Sequence, residues 1–551
     1  MHQMSHGSES FFILGEGTVS TALGGRSGAA GDDITDPKPS SEDAGADTGD
    51  AARPARAAVT VPPFRFSRVG PMGTPRLSVQ NLTKVANAMT RGGGGQTGIP
   101  AGFTYLGQFI DHDLTFDATS VTLGEDVGPA AMLQGRSPSL DLDSLYGAGP
   151  GDPVSAKFYA DDRHLKMGRT ERVGADAARE GHDLARAGRG RSNRAKRAPL
   201  IPDRRNDENL AVAQTHLAMI RFHNRVVDTL PPGVSAGERF RRARAKVVRH
   251  YQWMIRHDYL PRIVEESVLD DVFSNGRKVF EVGASPLDVP TMPVEFSVAA
   301  FRLGHSMIRE TYNWNRRFDA GAGSLDLLFV FSSTGGDLGG GLVLPSNWIA
   351  DFRRLYDFGE AGRADLVVPP AKFNRAMRID TRLVNPLKNL PPGSFGGPRV
   401  PFNDPRANLA FRNLVRARML RLATGQQMVT LLRSKGVPVR TLTRNQILTG
   451  TNGADLSSLS SREKDSLVAR TPLWLYILRE AETNGGRLRG VGARLVAETF
   501  HRAMEGSRSS IVRSPGFRPS LGPDSETFRM VDLLLFAFEG KKRLLNPLGG
   551  S

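Results

Sequence analysis

The feature that most constrains this chain is a series of long stretches whose apolar residues recur at the α-helical period, separated by irregular segments almost free of strand signal. Leu210–Leu230 has that spacing and is closed by Pro231, Pro232 and Gly233, which cannot continue a helix. Ala236–Val264 repeats the pattern, as do Asn408–Leu432, Pro472–Glu482 and Val491–Met504. Only Leu327–Phe331 reads as a strand. The fold class implied is mainly α, with long loops and very little β. Loops of that length inside a domain usually carry function. Apolar runs such as Val531–Phe538 fall far short of the roughly 18 residues of a membrane span. They read as buried helices, and no transmembrane span is expected.

Composition excludes several chemistries. With no cysteine, disulfides, thiolate catalysis and cysteine-ligated zinc or iron–sulfur sites are ruled out. Residues 1–60, rich in Gly, Ala, Asp, Ser and Thr, have too little apolar surface to offset ordering entropy and are expected to be a disordered acidic tail. Residues 61–545 are expected to form one domain, followed by a short tail over 546–551. Residues 1–50 hold nine acids and two bases, so with +16 over the whole chain the remainder carries +23. The excess gathers in Arg186–Arg205 and Arg239–Arg249. It could attract anions or be simply a solvated arginine-rich face. No nucleic-acid motif accompanies it, so no nucleic-acid partner is expected. The first residues lack a basic stretch followed by a long apolar run, so no Sec-type signal is visible. The expectation is a cytoplasmic protein or export by a non-classical route. No internal repeat is present, and the oligomeric state is open.

Five constellations carry candidate chemistry. In Phe103–Asp117, Gln108 and His112 share a helix face with Asp111 beside them and Asp113 following. A core histidine satisfied within the fold would look the same, and Asp-His-Asp could also serve a non-haem metal. In Ser137–Gly147, Ser137, Ser139, Asp141 and Asp143 alternate, so their oxygens could wrap a hard cation. Calcium takes about six to eight oxygens. An ordinary polar turn is the alternative, and the Gly and terminal Glu of an EF-hand are absent. In Pro202–Arg225, Arg205 and Glu208 open an amphipathic helix, an arrangement that capping alone would explain. In Ala300–Arg309, His305 follows Gly304 in an apolar helix, where the glycine would let something bulky approach. In Asn408–Gln426, Asn413 and Arg416 lie one helical turn apart.

Together and in this order the segments resemble the peroxidase–cyclooxygenase superfamily, which includes the mammalian myeloperoxidase and lactoperoxidase group. The resemblance runs from roughly residue 60 to 545. GQFIDHDLTFD is similar to the family's distal segment, LDLDSLYG to its calcium loop and AFRLGH to its proximal helix; TPLWLYILREAE and FRMVDLLLFA look like bacterial members. The resemblance implies an animal-type haem peroxidase whose catalytic domain spans residues 61–545, binding haem b and calcium. His112 would be the distal acid–base, Arg205 the distal arginine and Gln108 the residue holding water or halide beside the iron. His305 would be the axial iron ligand and Asn413 its hydrogen-bond partner. Arg302 and Arg416 would lie near the haem propionates. Asp113, Ser137, Ser139 (through its carbonyl), Asp141 and Asp143 would hold calcium. Asp111 and Glu208 match the acids that esterify the haem in mammalian members. Myeloperoxidase has a methionine after that glutamate, which forms a sulfonium link; here Asn209 makes such a link impossible.

The implied activity is reduction of hydrogen peroxide with oxidation of small anions (iodide, thiocyanate, bromide) or phenols. Two rivals are weighed. A fatty-acid dioxygenase of the same superfamily would carry a radical-forming tyrosine three residues before the proximal histidine, and here that residue is Arg302. A non-catalytic haem- and calcium-binding adhesion protein would be expected to have lost His112, Arg205 or His305, and all three are present.

Overall fold

The computed structural model describes residues 64–73, 76–119, 125–391 and 400–550. The expected acidic tail lies outside them. The helices that organise the molecule are α1 (Val79–Met89), α2 (Gly102–Leu114), α3 (Leu210–Thr229), α4 (Ala236–Met254), α5 (Leu325–Val330), α6 (Leu409–Met419), α7 (Gly425–Ser434), α8 (Leu473–Glu482), α9 (Gly490–Glu505) and α10 (Met530–Ala537). Among the described residues the strands form four two-stranded pairs of two to five residues each, so the mainly α expectation holds. No described helix is long and apolar enough to cross a membrane.

Local chemistry sets the helix limits. Asn209 caps α3, its Oδ1 accepting from Val212 N at 2.9 Å, and the helix stops before Pro231. Ser235 caps α4, with Glu238 in the first turn. That helix runs into a π turn, Ile255–Tyr259, before a last turn, Leu260–Ile263. Pro261 has no N–H to give the ladder, and the bulge absorbs its ring. Asp258, in the bulge, accepts from Met530 N at 2.8 Å and so starts α10.

Three expectations need correction. Leu327–Phe331 is not a strand: Ser324 Oγ accepts from Leu327 N and starts α5, because a cap decides so short an apolar run. Asn408–Leu432 is not one helix: α6 ends at Met419, Arg421 has φ 47°, and Thr424 with Gln427 forms a capping box that opens α7. Ala300–Arg309 holds only a 3₁₀ turn, Ala300–Leu303, and one α turn, Gly304–Met307.

One contiguous core fills the molecule, from Phe66 to Leu545. At its centre α2 packs on α3, and α3 also packs on α4 and α10. The Ala300–Met307 segment lies between α2 and α8, and α6 packs on α8 and α1. Segments distant in sequence are thus brought around one interior region. The chain's end is docked: Asn546 and Leu548 are buried, and Gly550 O accepts from Arg353 Nη2 at 3.0 Å.

Candidate active site

The interior region is lined by α2, the turn Arg204–Asp207 with Glu208, the turn at Gly304–Met307, and α6. His112, near the end of α2, is fully buried. Its Nδ1 meets Asn206 Oδ1 at 2.9 Å. Its Nε2 has no hydrogen-bond partner and lies 3.9 Å from Glu208 Oε2. Burial, with the Arg205 charge adding to it, pushes the imidazole pKa down to about 3. The ring is therefore neutral near pH 7, with a nitrogen able to take a proton.

Arg205 is held from behind. Its Nε donates to Asp203 Oδ1 at 2.9 Å, and its Nη2 donates to Asp203 Oδ2 at 2.7 Å and to His112 O at 2.9 Å. Nη1 is buried with no partner. Asp203 also accepts from Arg136 Nη2 at 2.6 Å. Burial would raise the Asp203 pKa, but the two guanidinium groups outweigh it and hold the carboxyl far below the usual carboxylate range. Arg205 and Glu208 do not open the long helix, as expected from sequence; they lie at a 3₁₀ turn ahead of it, and Asn209 is the cap. Asn209 Nδ2 donates to Gln108 Oε1 at 2.9 Å, fixing the glutamine beside His112.

Glu208 is buried with both carboxyl oxygens unpartnered, and burial pushes its pKa well up. Its main chain is clamped: Ser332 Oγ donates to Glu208 O at 3.1 Å. A Cβ on Gly335 would stand 2.0 Å from that same oxygen, so only glycine fits there. Asp207 accepts from Arg186 and Ser333. Asp111 accepts from Thr115 Oγ1 at 3.2 Å, and burial raises its pKa too.

Across the region, His305 is buried, with Nδ1 2.8 Å from Asn413 Nδ2, and its ring lies edge-on to Trp474 at 6.2 Å. Burial first, then the Arg302 charge, hold its pKa well below the usual histidine value. An iron ligand must be the neutral ring with Nδ1 protonated, which requires the Asn413 amide to present its oxygen. As placed, Asn413 Oδ1 instead accepts from Arg302 Nη1 at 3.2 Å, so turning the amide would exchange that bond for the one to His305. Arg416 pairs with Asp117, while its Nε and Nη1 are buried without partners.

These features test whether a haem fits. Buried polar groups are nearly always satisfied. Here His112 Nε2, Arg205 Nη1, both Glu208 oxygens and two Arg416 nitrogens are not. A Cβ on Gly304 would meet nothing within 4 Å, so open space lies beside the turn carrying His305. A flat apolar ring with carboxylate arms suits such a set: a nitrogen ligand on one side, acid–base groups on the other, guanidinium N–H groups for the carboxylates.

The expected calcium loop is ordered but assembled differently from a cage of acids. Asp113 Oδ2 accepts from Leu142 N at 3.1 Å and its Oδ1 from Ser144 N at 3.2 Å. Asp141 accepts from Ser507 Oγ at 2.6 Å, and Asp143 from Arg244 Nη2 at 2.9 Å. Ser137 Oγ accepts from Ser139 N at 3.3 Å, and Ser139 Oγ donates to Gly506 O at 3.2 Å. Among the described residues no three His or acidic side chains converge as a metal cage. Burial, then the neighbouring Asp143, push the Asp113 pKa up to about 7.

The structure gathers Gln108, His112, Arg205 and Glu208 around the end of α2 and the Arg204–Asp207 turn, and His305, Arg302 and Asn413 around the Gly304 turn and α6, with the Arg302 charge felt at Asp111. Sequence reasoning missed Asp203, Asn206 and the Ser332–Gly335 clamp. The only signal was the crowding of Asp203, Asn206 and Asp207 around Arg205, which reads equally well as capping.

Residues 120–333 match the animal haem peroxidase family model, a span holding Arg205, Glu208, His305 and the Ser137–Asp143 loop. Thyroid peroxidase from Mus musculus is 29% identical over 189 residues, 33% of this chain and 20% of that protein. Heme peroxidase 2 from Caenorhabditis elegans is 24% identical over 213 residues, 37% of this chain and 28% of that protein. The chain thus spans a fifth to under a third of the length of these curated relatives. Among solved structures, peroxidase A from Dictyostelium discoideum aligns over 88% of this chain and 94% of its own, at 15% identity and TM-score 0.54. A fatty acid alpha-dioxygenase from Oryza sativa aligns over 88% and 82%, at 13% identity and TM-score 0.52. At such identities these two likenesses speak for the fold.

Proposed function

Since the chain is a member of the animal-type haem peroxidase family, we propose that it reduces hydrogen peroxide and uses the oxidising equivalents on small anions or phenols. The observation that carries the reading is the pairing of a neutral, unpartnered His112 Nε2 with the unpartnered Nη1 of Arg205. His305 would hold the haem, which would supply the redox chemistry for breaking the peroxide O–O bond. His112 takes the proton from the attacking peroxide oxygen and returns it to the departing one, which needs a basic nitrogen facing the cavity. Arg205, fixed by Asp203, stabilises the negative charge that builds on the departing oxygen. Gln108, oriented by Asn209, holds water or an anion beside the reacting atoms. Arg302 and Arg416 would hold the haem propionates, and Asn413 would orient the His305 ring.

Two finer features belong to the same reading. Asp111 and Glu208 are the candidate ester partners, and Glu208 offers two buried carboxyl oxygens that no protein group occupies. Calcium is the candidate ion of the Asp113 and Ser137–Asp143 loop. Its support is the gathering of Asp113, Asp141 and Asp143 oxygens at one loop, where Asp113 accepts from Leu142 N and Ser144 N and Asp143 pairs with Arg244. Serine and carbonyl oxygens would complete the shell. Calcium should be found by elemental analysis at about one per chain, and its absence after purification with calcium would refute this assignment.

The reaction is tested with the haem-loaded protein. His305→Ala should lose stoichiometric five-coordinate haem. His112→Ala should keep haem but react with peroxide about 10²- to 10⁴-fold more slowly, the range for a lost general base. Both variants behaving as wild type would overturn the assignment. Rapid oxygen uptake with linoleate would favour the dioxygenase reading instead.

A further inference from the structure

We infer that Asn206 is a positioning residue that fixes the tautomer of His112, holding the ring's hydrogen on Nδ1 so that the basic Nε2 faces the cavity. The inference deepens the peroxidase reading and rests on it. A carboxamide oxygen only accepts, so the 2.9 Å contact between Asn206 Oδ1 and His112 Nδ1 requires a hydrogen on Nδ1. A neutral ring has one N–H, and its lone pair is then on Nε2, the atom without a protein partner. The other tautomer would put the lone pair against Asn206 and leave Nε2 unable to take a proton from anything in the cavity.

Asn206 is well placed to enforce the choice. It is fully buried in the turn Arg204–Asp207, and its N–H donates to Asp203 O at 3.1 Å. Its neighbours are anchored on both sides: Arg205 on Asp203, and Asp207 on Arg186 and Ser333. The turn is thereby held on both sides, while Nδ2 of the Asn206 carboxamide is buried without a protein partner and the contact to His112 is the one that its oxygen makes. One four-residue turn thus supplies the arginine, and through Asn206 the protonation geometry of the histidine. An acceptor behind a catalytic imidazole is a recurring device for selecting its tautomer, and losing one is costly even when the ring stays in place.

The test uses haem-loaded protein with ¹⁵N-labelled histidine, studied as the ferrous carbon monoxide complex, beside stopped-flow mixing with peroxide. In wild type, His112 should show a proton on Nδ1. Asn206→Leu, similar in volume but without an acceptor, should show a mixture of tautomers and react with peroxide about ten- to a hundred-fold more slowly, with unchanged haem content. Asn206→Asp, which keeps an acceptor at that point, should recover the single tautomer and most of the rate; it also keeps the test decisive if the leucine variant folds poorly. Three results would overturn the inference: a proton on Nε2 in wild type, an Asn206→Leu variant with wild-type tautomer and rate, or an Asn206→Asp variant that recovers neither. His112→Leu separates the two levels of the argument. If it reacts like wild type, the peroxidase reading of the site fails. If it is slow while Asn206→Leu is not, only the role of Asn206 fails.

Discussion

At the scale of single residues the site is built from buried charges that hold one another. Asp203 is the sharpest case, since its single carboxylate pairs with both Arg205 and Arg136 in the interior. Removing one partner of a buried ionic cluster leaves the others uncompensated, at a cost of about 3–5 kcal/mol. Asp203→Ala should lower the unfolding free energy by that order in urea titration and slow the peroxide reaction as Arg205 loses its anchor. A change under about 1 kcal/mol would mean that water replaces the carboxylate, against the range quoted. Because the folded pKa of Asp203 is depressed, its contribution is present above the unfolded carboxylate range and is lost only in strong acid.

At the scale of elements, the start of α9 carries a pH dependence. Glu480, on α8, accepts from Val491 N at 3.2 Å and Gly492 N at 3.1 Å, satisfying the first turn of α9. Burial nevertheless pushes its pKa up to about 8, from an ordinary value of 4.5. Between those two values the folded state binds more protons than the unfolded chain at this site, so this contribution to stability falls as pH rises. Glu480→Gln keeps an acceptor and removes the titration. Urea unfolding at pH 5 and at pH 8 should show a smaller loss of stability for the variant than for wild type, and equal losses would refute the assignment. The loop from Ser137 to Asp143 is the second element at issue. Asp141 ties it to Ser507 and Arg508, so Asp141→Ala should loosen the region beyond α9 whether or not an ion is bound. Faster hydrogen exchange around residues 505–510 would report it.

At the scale of the whole molecule, charge and the absence of a sulfonium link bear on the choice of donor. Asn209 caps α3 and orients Gln108, so this position is committed to structure and cannot supply the electron-withdrawing bond of a methionine. Iodide and thiocyanate should be oxidised fastest, bromide next and chloride poorly, in turnover at equal peroxide. The +23 carried beyond residue 50 should gather anions, and that gain should fade with salt over a Debye length of about 8 Å at physiological ionic strength. Iodide turnover that ignores salt would show that the field plays no part, and chloride oxidation as fast as iodide would refute the argument from Asn209.

Much of this was legible in the residues themselves. Helical periodicity gave the mainly α class, because a 3.6-residue repeat of apolar side chains can be buried in only one way. The motifs in their order resembled a known family, and it was that resemblance, not the spacing, that singled out His112, Arg205 and His305 as candidates. The pairing of Asn413 with His305 was already implied by the resemblance, whereas contacts such as Asn206 on His112 across 94 positions and Ser332 on Glu208 across 124 lay beyond the sequence. It also could not show that Leu325–Val330 is a helix or that Asn408–Leu432 breaks in two, since a cap or one left-handed residue outweighs weak local propensity. A spacing rule describes neighbours on one element. Whether two buried polar groups meet, and which nitrogen of a histidine is left bare, depends on how the elements pack, and only the tertiary structure decides it.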